Sequence, residues 1–161
     1  MKKNIRLISL TLAVCLMTLL LCACGSSAKN VPVSDIAAKV DEALAKDGAL
    51  TDAKENYIKG YLKMDVADYE EYVVKINAYG ENIDEYGVFK GKDASQAAEI
   101  KSAVEAYLEL RLSTWMDEYM PEEKPKLQSA EVKTSGNYVM YCILSDADKT
   151  AAFAAFSDSL K

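Results

Sequence analysis

Histidine is absent from this chain. That removes the commonest general base and the commonest transition-metal ligand, so neither a Ser-His-Asp nor a Cys-His device can be assembled. Glycine is scarce, at seven of 161 residues, and nowhere forms a phosphate-binding loop or a Gly-x-Gly-x-x-Gly frame. Ser135-Gly136 lacks the Gly-x-Ser-x-Gly frame of a nucleophile elbow and reads as a turn. Basic residues are outnumbered, 19 against 25 acidic, for a net charge of −6. That balance argues against a nucleic-acid partner. Carboxylates gather at Asp65 to Glu71, Glu81 to Glu85 and Asp117 to Glu123. None of these runs has the alternating Asp/Asn ligands and Gly of a calcium loop, so solvated acidic surface is expected, with no metal and no cofactor. Three of the four cysteines lie in the first 24 residues, which leaves Cys142 alone thereafter. It sits in the apolar run Tyr138 to Leu144 and is expected to be a small buried hydrophobe without a disulfide partner.

What is present begins at the N-terminus. Lys2, Lys3 and Arg6 precede an apolar run that exits through Leu20-Leu21-Cys22-Ala23-Cys24-Gly25. A basic head, a hydrophobic segment short for a permanent span and a small-residue exit read as an export signal. Leu21, Cys22, Ala23 and Cys24 resemble the lipobox of bacterial lipoproteins. The resemblance implies a diacylglyceryl group on Cys24 Sγ and cleavage after Ala23. Residues 1–23 are then signal peptide, 24–32 a lipidated Cys and flexible tether, and 33–161 a single extracytoplasmic domain. The leader carries three basic residues and no acidic one, so the remainder nets −9. A chain of that charge has no polybasic grip on anionic lipid, and the acyl group must do the anchoring. The expected partner is the membrane, through Cys24, together with a protein of the cell envelope.

Within the domain, Ser34 is a plausible N-cap for a short amphipathic helix through Ile36, Val40 and Leu44, with Gly48 as its stop. Thr51 to Asp68 reads as helix and turn. Alternation over Tyr69 to Tyr79 predicts a strand, Gly80-Glu81-Asn82 a turn, and Ile83 to Lys90 a returning strand with a possible bulge at Gly87. Asp93 and Gln96 have capping-box spacing for a long helix, about Ala94 to Tyr119. Leu127 to Thr134 and Asn137 to Leu144 form a second hairpin across Ser135-Gly136, and Asp146 caps a closing helix bearing Phe153, Phe156 and Leu160. The expected fold is α+β: an antiparallel four-stranded sheet of two hairpins, with a long central helix and N- and C-terminal helices on one face.

One residue is out of keeping. Arg111 falls near the middle of the long helix's apolar stripe, between Tyr107 and Trp115, so a charge is aimed at the core. Either its stem packs while the guanidinium meets a carboxylate, a strand carbonyl or the Trp115 face, or it lines a groove and receives an anionic group. Arg111, Trp115 and Tyr119 are therefore the candidate binding residues. Ten tyrosines suit a recognition surface as well as core edges.

The stretch Tyr69-Glu70-Glu71-Tyr72-Val73-Val74, Arg111, Tyr119-Met120-Pro121-Glu122 and Gly136-Asn137-Tyr138-Val139 resemble the bacterial lipoprotein family catalogued as domain of unknown function 4358. The resemblance implies a lipid-anchored protein on the outer face of the cytoplasmic membrane of a monoderm bacterium. It carries no activity. A non-enzymatic interaction or accessory module of the envelope is the expectation, with a small-molecule or cation-binding receptor as the alternative.

Overall fold

The computed structural model describes residues 29–46, 49–77 and 79–161. The signal segment, Cys24 and Gly48 lie outside them. In chain order the elements are α1 (Val33–Leu44), β1 (Leu50–Asp52), α2 (Glu55–Tyr57) continued by a π-turn (Ile58–Leu62), β2 (Glu71–Asn77) and β3 (Glu85–Lys90). Then come α3 (Ala94–Ser113), α4 (Lys124–Gln128), β4 (Glu131–Ser135), β5 (Tyr138–Ile143) and α5 (Asp146–Ser159).

The fold is α+β, built on an antiparallel sheet of order β1-β2-β3-β5-β4. Two details differ from the sequence expectation. The sheet has five strands, not four, because Leu50 to Asp52 pairs with the end of β2 as a short edge strand. Three residues carry too little periodicity to register as a strand by themselves. Helices also cover both faces, not one. Every residue of β3 and β5 is buried, and strands apolar on both sides need cover on both. On one face α1 and α5 pack on Tyr86, Val88, Met140 and Cys142. On the other, the α2 segment, α3 and α4 pack on Val74, Phe89, Val139 and Tyr141.

Local boundaries shift for identifiable reasons. The α1 N-cap is Pro32, not Ser34; the Val33 N–H donates to Glu71 Oε2 at 2.7 Å, so a strand carboxylate does the capping. Asp93 accepts from the Gln96 N–H at 2.9 Å, which starts α3 where expected. That helix stops at Ser113, short of Tyr119, where the Ser113 and Thr114 hydroxyls both donate to the Leu110 carbonyl. Leu127 belongs to α4, so β4 starts only at Glu131. Ser145, not Asp146, caps α5, accepting from the Asp148 N–H at 3.2 Å. The ladder runs through Gly87 without a bulge. Gly136, at φ 58°, makes the β4–β5 turn, and Asn137 ties that turn to the Gly91 carbonyl at 3.0 Å.

Cys142 is fully buried against α1 and α5, and burial pushes its thiol pKa well above the ordinary range. Iodoacetamide should leave it untouched in native buffer and modify it at the unfolding rate in urea. Rapid native alkylation would contradict this packing.

Candidate functional site

Alternation along β3 turns Glu85, Gly87 and Phe89 toward α3, while Tyr86 and Val88 face α1 and α5. Glu85 is thereby carried inside, at 1% exposure. The acidic run Glu81 to Glu85 is thus not solvated surface throughout. Four donors converge on the Glu85 carboxylate. Tyr141 Oη donates to Oε1 at 2.5 Å and Tyr57 Oη to Oε2 at 3.0 Å. Tyr107 Oη lies 2.9 and 3.1 Å from the two oxygens, and Arg111 Nη1 reaches Oε2 at 2.5 Å. Taking a carboxylate out of water costs several kcal/mol, and these donors offset that loss by filling about as many acceptor positions as it has.

The charge states follow from the same geometry. Burial, reinforced by the Glu85 charge, pushes the Tyr57 pKa up to about 12. The same two causes raise Tyr107 and Tyr141 further, so all three phenols remain protonated donors at physiological pH. Burial disfavours the Arg111 guanidinium, but the Glu85 charge and the Tyr107 and Tyr57 phenols outweigh it, and the net shift is upward. Arg111 stays charged.

Above this network lies a cavity of ≈ 360 Å³ lined by Tyr57, Tyr61, Tyr107, Leu110, Arg111 and Thr114. Tyr57 and Tyr61 flank it as a tilted ring pair with centroids 4.8 Å apart. Tyr61 reaches the mouth because the chain winds into a π-turn there, a distortion common where a helix serves a site. Tyr61 is 64% and Leu110 48% exposed. The site offers shape, aromatic faces and guanidinium donors; its carboxylate is fully engaged.

Of the three candidates read from the sequence, Arg111 alone lines the cavity. Its partner is a strand carboxylate and the ring it approaches is Tyr107, 5.9 Å from the guanidinium carbon. Trp115, half-buried just past the end of α3, packs against the core, with its indole N–H buried and unpartnered among the described residues. Tyr119 projects outward at 56% exposure. Sequence reasoning missed Glu85, Tyr57, Tyr107 and Tyr141. One signal was available: Glu85 shares a strand face with Phe89 while Arg111 shares a helix face with Val104, and opposite charges that both point inward invite pairing.

A second buried carboxylate also departs from expectation. Asp84, 3% exposed, binds Lys46 and, at 2.8 Å, Lys126. Glu123 accepts from the Ile83 N–H at 3.0 Å and from Lys126 at 2.8 Å. This cluster joins the end of α1, the start of β3 and α4, and every charge in it has a partner.

A family model described as Domain of unknown function (DUF4358) matches residues 39–144. The chain belongs to this family. The matched span of the DUF4358 domain contains Tyr57, Glu85, Gly87, Tyr107, Arg111 and Tyr141, and so the whole network, while α5 lies beyond it. No curated protein and no solved structure matches the chain.

Proposed function

We propose that this DUF4358 domain is a lipid-anchored extracytoplasmic recognition module that presents the tyrosine-lined cavity away from the membrane to a partner in the cell envelope. One geometric relation carries the reading. The chain arrives at the sheet beside Tyr138, whose hydroxyl accepts from the Val31 N–H at 2.9 Å, and beside Glu71. Glu71, Lys90 and Tyr138 share one end of the sheet by register. Glu85, aligned with Ile76 and Ile143, is at the other end, roughly 16 Å along β3 at about 3.3 Å per residue. The cavity also lies on the face opposite α1. The described chain thus enters the domain at the pole remote from the cavity, and an anchor at Cys24 leaves the cavity accessible.

A receptor for a small molecule is the second reading, favoured by the cavity volume, which falls within the roughly 300–1,000 Å³ of ligand pockets. A cation would have to use other carboxylates, since the oxygens of Glu85 are already engaged.

Photo-crosslinking in living cells tests the proposal. A photoreactive residue in place of Tyr61 should give adducts with an envelope protein, and one in place of exposed Lys39 on α1 should not. Mass spectrometry should find the native protein starting at an acylated Cys24. Equal labelling at both positions would remove the recognition reading, and an unacylated native protein would remove the anchor.

A further inference from the structure

Among the described residues, Arg111 uses one of its three guanidinium nitrogens. Nη1 serves both Glu85 Oε2 and, at 2.7 Å, Tyr107 Oη. Nε and Nη2 make no hydrogen bond to the described residues, and neither is among the buried unpartnered atoms. These two N–H groups point along one edge of a planar group and form the fork that grips two oxygens at once. Because Nη1 is pinned at two points, the fork is held in orientation before anything binds, which lowers the ordering cost of recognition.

We infer that the cavity binds a carboxylate attached to an apolar body, with the carboxylate seated on the Nε and Nη2 edge of Arg111 and the body against Tyr57, Tyr61 and Leu110. This rests on reading the cavity as the recognition site and adds the ligand's chemistry. Three observations select that chemistry. The fork matches a planar pair of oxygens. Glu85 already balances the guanidinium charge, so it opposes a dianion such as a phosphate monoester about twice as strongly as a monoanion. The lining of aromatic rings and one leucine gains from covering hydrocarbon. The carboxylate belongs either to a free organic acid or to the C-terminus of a polypeptide.

Isothermal titration of the full chain in detergent micelles provides the test, with 3-phenylpropionate and its amide as probes, and a hexapeptide ending in Phe as free acid and as amide. Saturable binding of the acids is expected, with each amide weaker by roughly tenfold or more, the scale of a lost charged hydrogen bond. A peptide acid that binds more tightly than 3-phenylpropionate makes a protein C-terminus the source; the reverse makes it a free acid. Arg111→Lys, which keeps the charge beside Glu85 and removes the fork, should weaken binding by a similar factor. Leu110→Glu, at the exposed mouth, should do so by placing a competing charge there, and decides the matter if the Lys variant is poorly folded. Acid and amide binding equally, or neither binding at millimolar concentration, would overturn the inference. Tyr61 adducts persisting alongside such a result would leave the recognition reading standing and remove only the carboxylate.

Discussion

Arg111→Met is expected to destabilise the domain by about 3 kcal/mol, lowering its melting temperature by about 10 °C. Methionine replaces the packed stem, so the loss is mainly electrostatic. Glu85, 1% exposed, keeps its three phenol donors but loses the one cation bonded to it among the described residues. Breaking a buried pair from one side costs about 3–5 kcal/mol because the remaining charge is uncompensated, and the phenols hold the loss near the lower figure. Glu85→Gln in the same background should recover at least about half of it, a coupling that a double-mutant cycle in urea measures directly. A single variant within about 0.5 kcal/mol of the parent would mean that the pair does not hold this face together.

Gly87→Ala should cost about as much through a steric route. A Cβ at that position would stand 2.3 Å from Tyr141 Cε1 and 3.1 Å from Cδ1. The two residues face each other across the β3–β5 ladder, so neither backbone can retreat without breaking pairing on both sides. The Tyr141 ring is fixed too, 6.5 Å from Phe89 in a stack and 6.0 Å from Tyr107 edge-on, with its hydroxyl on Glu85. Overpacking costs about 1–3 kcal/mol, and displacing the hydroxyl adds about 1 kcal/mol. The same substitution in a Tyr141→Leu background should cost under about 1 kcal/mol, since the ring is gone. Equal costs in the two backgrounds would show that glycine is not there to admit the ring.

Residues whose role is local were legible. Asp93 starts α3 because its acceptor meets an N–H three residues away. Asn137 to Leu144 read as the returning strand of a hairpin, and its apolar run Tyr138 to Leu144 is buried throughout; Arg111 read as inward-facing from helical phase alone. The same apolar pattern also implied cover on both sides of the sheet, an implication the one-face expectation left unused. The site was less legible because its members come from four separate elements. Tyr57, Tyr107, Arg111 and Tyr141 lie 22 to 56 residues from Glu85 in sequence, and no periodicity reports such a meeting. Glu85 itself was obscured by its neighbours, since an acidic run reads as surface until strand alternation separates its members.

By itself the sequence determined the α+β class, the two hairpins, the long helix and its cap, the inward aim of Arg111 and the burial of Cys142, because each depends on spacing within one element. Only the tertiary structure decided that helices sandwich a five-stranded sheet and that a buried carboxylate gathers three phenols and a guanidinium beneath a cavity. Those outcomes depend on register and packing between distant segments, where one residue's slip along a strand would turn Glu85 from the interior of one face to the other.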